Sequence, residues 1–373
     1  MPSNQAAWLN AKLDKTLAVK TAPYPSIKPD ELVIKNAAVA INPLDWLIQD
    51  MGNLVFTWVT YPTVVGTDLA GEVVEVGSAA QSDFKFQVGD RVLALAPGTD
   101  QDLNSAAHSA FQHYTVVKAA LASRIPATLD YDHAAVLPLG VATAASGLFQ
   151  KDFLGLALPT QPARPSNGET LLIWGGSTSV GSNAIQLAVA AGYEVFSTSS
   201  PKNFEYLKKL GASQVFDYNS RTVVQDITRA LKDRKGAGAV AAGPGSLKPC
   251  IDIVAKTKGK KFVTDIAGPP PPKGTPSGLQ MIPLIFAFIS WGTSVWFKCT
   301  WNGVRTKFVY GSDLKKNEVG PHIYGTFLPS ALKEGNYLAA PQPEVVGNGL
   351  EQIQPAIDQQ KKGVSAKKLV VTL

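Results

Sequence analysis

Alternating apolar and polar positions mark the first third of the chain. Residues 31–40 (ELVIKNAAVA) and 68–76 (DLAGEVVEV, closed by Gly77) have the period of half-buried strands. Residues 89–96 (GDRVLALA) open on a Gly-Asp turn and continue as a strand, and residues 111–117 form another. Short strands at this spacing, separated by Gly, Pro and Asp turns, predict a barrel-like or sandwich domain. Between them, residues 42–52 hold a short helix that starts after Pro43.

Near residue 130 the pattern changes. Residues 131–149 read as helix, and a Pro-rich loop follows at 159–165. Then come an apolar strand (170–174), a helix ending at Gly192 (180–191) and a second strand (194–198). A helix closed by Gly211 (201–210) and a third strand (214–217) follow. This alternation predicts a parallel sheet covered on both faces. Residues 223–232 add a helix, and residues 250–254 and 261–266 carry weaker helix and strand signals. The Pro/Gly-rich stretches 243–249 and 268–278 read as surface loops. Residues 367–373 (KKLVVTL) have a hairpin-like pattern and are expected to pack back on the first domain. The expected fold class is α/β. Residues 1–130 form the barrel domain, 131–325 a doubly wound domain inserted into it, and 326–373 the return.

Composition narrows the function. Hydrophobic residues make up 45% of the chain and charged residues 17%, enough for a sizeable core. Thirty-five basic and 29 acidic residues leave a charge of +6. The basic runs 258–261 and 361–368 are short and lack interleaved aromatics, so they read as solvated faces and no nucleic-acid partner is expected. Two cysteines, Cys250 and Cys299, exclude a disulfide framework and a four-cysteine zinc site. They fit a reducing compartment. The first 15 residues contain no apolar core of a secretory signal, so a cytoplasmic location is expected. The longest apolar stretch, 284–297, is broken by Ser290, Gly292, Thr293 and Ser294. It reads as too short to span a bilayer, and as a buried segment or pocket wall. His108, His113, His133 and His322 have no metal-site spacing, so no metal is expected.

Residues 171–192 (LLIWGGSTSVGSNAIQLAVAAG) carry the first motif with chemistry in it. Gly175 and Gly176 follow directly on an apolar strand, and Gly181 sits in the first turn of a helix. Glycines there let the backbone turn tightly and let helix and strand approach. The helix start then points unpaired N–H groups at a pyrophosphate, and Ser177, Thr178 and Ser179 add hydroxyls. A hydroxyl residue stands where the central glycine of G-x-G-x-x-G would be, and an ordinary Gly-rich turn is the plain alternative. At the end of the second strand, residues 197–203 (STSSPKN) offer no carboxylate for a ribose 2′-hydroxyl. Ser199, Ser200 and Lys202 offer instead the hydroxyls and cation that suit a 2′-phosphate, so the expected cofactor is NADPH. A merely solvated Lys202 is the alternative. Tyr218, after the third strand, lies where it could cover the ribose or phosphate.

With these motifs placed, the chain resembles the medium-chain dehydrogenase/reductase superfamily. The resemblance rests on AVAINPLDW (38–46), VVGTDLAGEVVEVG (64–77), VGDRV (88–92), VLPLGVATAASGLF (136–149), the 175–181 turn and KKGVSAKKLVVTL (361–373). It implies a GroES-like barrel, a Rossmann cofactor domain and a cleft between them for the nicotinamide. Classical zinc alcohol dehydrogenases of this superfamily need a cysteine where residues 42–45 stand and a His-Glu pair near Gly66-Thr67-Asp68. Neither is present, so the resemblance is to zinc-free members. AINPLDW and STSSPKNFEYLKKLGA are most similar to fungal trans-acting enoyl reductases, and quinone oxidoreductases stand close.

That resemblance implies site residues. Pro43 and Asp45, with Asn42 beside them, would stand near the nicotinamide. Thr143, within 140–147, would act at the nicotinamide and line the substrate channel together with Gly140 and Gly147. Ser177, Thr178, Ser179 and Val180 would hold the pyrophosphate, and Ser199, Ser200, Lys202, Asn203 and Tyr218 the adenosine end. Val364 and Ser365 would close over the cofactor. Phe286 and Phe288, with Trp291, Trp296 and Phe297, would either wall an apolar substrate pocket or belong to the core or a dimer interface. No proton donor is evident. Residues 50–53 hold no tyrosine, and Tyr61 is the nearest.

The expected function is NADPH-dependent reduction of activated carbon–carbon double bonds. Its sharpest form is enoyl reduction in fungal polyketide or other secondary metabolism, on a small or carrier-bound enoyl substrate with a polyketide synthase as partner. A stand-alone quinone or enone reductase is one alternative. A low-turnover NADPH-binding structural or regulatory protein is another. No membrane partner is expected, and the chain reads as a monomer or homodimer.

Overall fold

The chain opens with β1 (Asn4–Leu9) and β2 (Ala18–Ala22), which pair antiparallel. Then come β3 (Glu31–Ala40), α1 (Pro43–Met51), β4 (Thr63–Val64), β5 (Asp68–Val76) and α2 (Ser78–Phe84). β6 (Arg91–Leu95), β7 (Tyr114–Lys118) and β8 (Ala122–Arg124) follow. The strands expected at 31–40 and 68–76 appear with those bounds. β3 pairs antiparallel with both β5 and β7, and β5 with β6, as alternation with one buried face requires. The segment 131–149 forms two helices, α3 (Tyr131–Ala135) and α4 (Pro138–Phe149). Pro138 ends the first because the residue before a proline is driven out of the helical region.

The computed structural model describes residues 3–52, 54–269 and 281–373. Within it the chain divides into two compact units, Met1–Ala142 with Ser312–Leu373, and Thr143–Gly311. The expected boundaries lay at 130 and 325. α3 packs on β3, β5 and β6, so it belongs to the first unit. Residues 322–327 pack on β8, which carries the second boundary toward the N-terminus.

The second unit is a wholly parallel sheet. Its strands are β9 (Glu169–Trp174), β10 (Glu194–Ser199), β11 (Gln214–Asp217), β12 (Lys235–Ala241), β13 (Lys258–Gly259), β14 (Phe262–Asp265) and β15 (Arg305–Phe308). The main order is β11-β10-β9-β12-β14-β15, with β13 beside β12. This is doubly wound topology, and the order reverses between β9 and β12. Its helices are α5 (Ser179–Ala190), α6 (Phe204–Lys209), α7 (Val223–Ala230), α8 (Leu247–Lys256) and α9 (Met281–Asn302). α8 starts inside the stretch expected as a 243–249 loop. Most of the 268–278 loop lies outside the described residues.

The chain then returns to the first unit with β16 (Gln342–Asn348) and β17 (Lys367–Thr372). β17 pairs antiparallel with β3, so the last strand packs on the first unit as expected. The hairpin reading is corrected. β16 and β17 are parallel, joined through the helix Ile353–Lys361, because a parallel pair requires a crossover.

Candidate active site

The turn after β9 is built by close approach. Gly175 has φ +87°, and a Cβ on it would lie 2.9 Å from Gly243 N, where the strand order reverses. A Cβ on Gly181 would lie 2.2 Å from Gly175 O, so α5 can leave the strand this tightly only with glycine there. Thr198 Oγ1 accepts from Gly175 N (3.0 Å), and Ser197 Oγ donates to Ile173 O (2.8 Å), tying the ends of β9 and β10 together.

The hydroxyl in place of a glycine has a structural reason. Thr178 is the N-cap of α5. Its Oγ1 accepts from Gly181 N (3.0 Å) and donates to Gly175 O (2.8 Å), so its one hydroxyl hydrogen serves the cap rather than a phosphate. This corrects the expectation of Thr178 as a phosphate donor. Ser177 is half-buried, and Ser179 Oγ is buried with no hydrogen-bond partner. The first-turn N–H groups of Ser179 and Val180 have no intrahelical acceptor. An orphaned hydroxyl beside open N–H groups, in a cradle that a Cβ would fill, fits a dinucleotide pyrophosphate.

At the tip of β10, Ser199 Oγ is buried and donates to Ser200 O (3.1 Å). Ser200 is half-buried, and its carbonyl accepts from Asn203 N (2.9 Å). Lys202 is exposed and forms no ion pair with any described residue. Tyr218 is exposed beside them, its N–H donating to Ser199 O (3.4 Å). Asp217, opposite Ser199 in the β10–β11 register, is occupied by Asn219 N (2.9 Å) and Nδ2 (3.1 Å).

α4 supplies the next residues. Thr143 is buried against Gly311, on which a Cβ would lie 2.3 Å from Thr143 Oγ1. Gly147 is corrected from substrate lining to packing. A Cβ there would lie 2.6 Å from Thr264 Cγ2, and its carbonyl accepts from Thr264 Oγ1 (3.0 Å). Gly140 is buried in the first turn of the helix.

In the first unit, Pro43 is exposed at the start of α1, and Val364 and Ser365 are exposed between the helix Ile353–Lys361 and β17. Asp45 is corrected. Its carboxylate has no exposed surface for a ligand, because Oδ2 accepts from Asn42 N (2.7 Å) in a capping box and Oδ1 has no partner. Burial, the largest cause, pushes its pKa up to about 7, and the Asp68 charge pushes the same way.

Beside it lies a cluster that single positions in the sequence do not reveal. Lys368 Nζ donates to Asp68 Oδ2 (2.6 Å) and to Asn42 Oδ1 (2.7 Å). Asn42 Nδ2 donates to Asp68 Oδ2 (2.9 Å) and Thr67 Oγ1 (3.1 Å). The second Asp68 oxygen accepts from Leu139 N at the start of α4. Lys368 and Asp68 are 4% and 0% exposed, so this is a buried ion pair joining β17, β5, α1 and α4. The only signal in the sequence is a charged residue at each of two strand starts.

Raising the pH should expose the Asp45 carboxyl as a stability term. Between about pH 4 and 7 the folded chain keeps a proton that the unfolded chain has lost, so stability falls as pH rises and levels off above 7. Asp45→Asn removes this slope. Urea midpoints should show the variant gaining on the parent from pH 4.5 to 7.5, and parallel curves would refute the assignment.

A parallel 3-2-1-4-5-6 sheet with a glycine turn at its switch point is the architecture of a dinucleotide-binding fold. Family models agree. Residues 28–127 match the alcohol dehydrogenase GroES-like domain, and residues 179–298 match the zinc-binding dehydrogenase family. The chain belongs to the medium-chain dehydrogenase/reductase superfamily, whose members bind a nicotinamide cofactor. It is 53% identical over 373 residues to dehydrogenase pigH of Monascus ruber, covering all of both chains. It is 36% identical to trans-enoyl reductase himH of Aspergillus japonicus, covering 99% of this chain and 97% of that one. Among solved structures it shares the fold of the CurK enoyl reductase, with TM-score 0.70 and 20% identity over 100% and 99% of the two chains.

The residues do not fit the zinc that one family description names. Asn42 and Asp68 accept from the Lys368 ammonium, a fixed cation, and with Thr67, which accepts from Asn42, they supply one amide, one hydroxyl and one carboxylate instead of nitrogen and sulfur ligands. A different group, Asp130, Asp132 and His133, brings its ligand atoms within 4.8 Å of one another at the start of α3. Histidine spacing alone misses it because two of its members are aspartates. It is partly exposed, and His133 Nδ1 is already held by Asp132 Oδ1 at 2.8 Å.

Apolar α9 departs furthest from expectation. It runs unbroken for 22 residues and is long and apolar enough to cross a membrane by length and composition. The hydroxyl residues do not break it, because Thr293 Oγ1 donates back to Ile289 O (2.9 Å). Phe286 points to solvent and Phe288 is half-buried on a helix that packs against α8 and β15, so the pocket-wall reading is corrected.

Proposed function

We propose that this protein is a zinc-independent, NADPH-dependent reductase of alkenes conjugated to a carbonyl, acting on an enoyl substrate in fungal secondary metabolism. The observation that carries the cofactor choice is the tip of β10, where Ser199 and Ser200 stand with Lys202, which has no ion pair among the described residues, and where Asp217 is already occupied by Asn219. The substrate class is supported by the himH relative, named a trans-enoyl reductase, at 36% identity over 99% of this chain. Zinc independence is supported by the Lys368 ammonium held between Asn42 and Asp68.

When bound, NADPH supplies a hydride for the β-carbon of the alkene. The chain's part is to bind and orient. Open N–H groups of Ser179 and Val180 would hold the pyrophosphate, and Lys202 with Ser200 would hold the 2′-phosphate. Thr143, fixed against Gly311, would line the channel beside the reacting carbons. Tyr324 is not the acid. Its hydroxyl donates to Pro138 O (2.7 Å), and burial holds its pKa well above the phenol value.

One experiment tests the reading. The purified protein is mixed with NADPH or NADH and a panel of enoyl thioesters, enones and quinones, with and without an added carrier-bound enoyl substrate. Oxidation of NADPH by enoyl substrates is expected. Lys202→Ala should weaken NADPH at least about tenfold and leave NADH unchanged, as loss of a charge-assisted contact predicts. Equal losses for both cofactors would overturn the 2′-phosphate site, and no turnover with any substrate would overturn the reductase.

A further inference from the structure

Charge is divided unevenly between the two units. Residues 143–311, the parallel-sheet unit, hold 19 basic and 9 acidic residues, a formal +10, while the rest of the chain holds 16 and 20, a formal −4. The net +6 of the chain therefore comes from one unit alone. An excess confined to one unit raises the local concentration of acidic partners at that unit's surface.

Part of the excess converges where α7 and α8 end. Gln225, Thr228, Arg229 and Lys232, from α7 and the turn after it, line an open recess of about 310 Å3 together with Lys256 from the last turn of α8. The lining holds three cations and no carboxylate. Lys232 and Lys256 are exposed and form no ion pair with any described residue. Arg229 lies 3.5 Å from Asp226, but its side chain is 79% exposed, so water screens the pair and leaves it little energy. Cations nearby are matched: Arg234 with Glu194, Lys235 with Glu169 and Lys298 with Asp252. Nor is Lys256 needed to close its own helix. Lys261 Nζ already donates to Val254 O (2.8 Å), Ala255 O (2.9 Å) and Thr257 O, the carbonyls at the end of α8.

The spacing of these cations selects the occupant. Arg229 and Lys232 stand three residues apart, one turn along the chain and roughly 5–6 Å between Cβ atoms. A helix that carries carboxylates a turn apart presents the same repeat. Arg229 can grip a carboxylate through two parallel N–H donors, and the lysines act as point charges on either side of it. Asp226 and Asp233 adjoin Gln225 and Lys232, so the unbroken phosphate run of a nucleic acid would meet like charge there. The recess is concave, whereas a lipid surface is flat. It also stands away from the cofactor turn. α7 runs from β11 to the start of β12, so its end lies at the amino ends of the strands, while the Gly175–Gly181 turn follows the carboxyl end of β9. In a parallel sheet those ends are opposite.

We infer that the recess between the ends of α7 and α8 docks an acidic helix of another protein, whose carboxylates meet Arg229, Lys232 and Lys256. Docking there leaves the cofactor turn open.

The probe is a fluorescent alanine-based helical peptide with glutamates one turn apart along one face, beside a counterpart with glutamine at those positions. Anisotropy titration with the whole protein in about 50 mM salt should give saturable binding of the glutamate peptide, weakened at least about tenfold by about 500 mM salt. Arg229→Glu, Lys232→Glu and Lys256→Glu together should weaken it at least about tenfold, with the urea midpoint unchanged. Lys12→Glu, Lys333→Glu and Lys362→Glu together make the same change in net charge at exposed positions of the other unit and should leave binding as it was. Equal losses in the two triple variants would overturn the proposal, since attraction would then follow net charge alone. So would a glutamine peptide that binds as tightly, or no saturable binding up to about 1 mM peptide. Displacement of the peptide by about 1 mM inorganic phosphate would overturn it in favour of a small-anion site. Sedimentation with phosphatidylserine vesicles, lost in the first triple variant, would overturn it in favour of a lipid surface.

Discussion

Lys368→Met is expected to lower the stability of the barrel-like unit by about 3–5 kcal/mol, read as a fall in the urea midpoint at pH 7. The methionine fills most of the volume but leaves the Asp68 carboxylate charged in a site with no solvent exposure. Leu139 N and Asn42 Nδ2 remain as donors to it, and they do not replace a cation. Asp68→Asn added to Lys368→Met should recover part of the loss, because the uncompensated charge is then gone. A single-variant cost below about 1 kcal/mol would show that the two neutral donors suffice and that the ammonium is dispensable.

Gly181→Ala is expected to act on the other unit and in another way. The new Cβ would sit 2.2 Å from Gly175 O and 2.8 Å from Gly176 Cα, both backbone atoms with no rotamer to change. α5 must then move off β9, at a cost of about 1–3 kcal/mol, and its open N–H groups leave the pyrophosphate position. Binding of NADPH and NADH should fall alike, by at least about tenfold. This contrasts with Lys202→Ala, which separates the two cofactors. Fluorescence titration with both nucleotides checks it, and unchanged affinity would mean the turn does not hold the pyrophosphate.

Much of this architecture is legible in the chain. β3 and β5 can be read to the residue because alternation is imposed by one buried face. β11 is equally clear between Gly211 and the turn at Asn219. β12 escapes the same reading. Its sequence KGAGAVA holds one β-branched residue, yet it lies beside β9 in the middle of the sheet. Its smallness is imposed from outside, since a Cβ on Gly238 would meet Leu154 Cδ2 at 2.5 Å. The site divides the same way. The Gly175–Gly181 turn is local and shows in sequence. Asp68 and Lys368 are 300 residues apart, and only the paired sheet brings them together. α9 misleads for a third reason. Serine and threonine read as breaks in an apolar run, although a helix can satisfy their hydroxyls on its own carbonyls.

The position of β17 sets an order of events during synthesis. β3 is made early, but one of its neighbours in the sheet is β17, and the cation for Asp68 arrives on the same late strand. The parallel sheet between them is complete in sequence once β15 has emerged. The inserted unit can therefore fold on the ribosome while the unit begun first still lacks its closing strand and the cation for Asp68. The sheet that β3 begins is thus closed only when β17 is available to it.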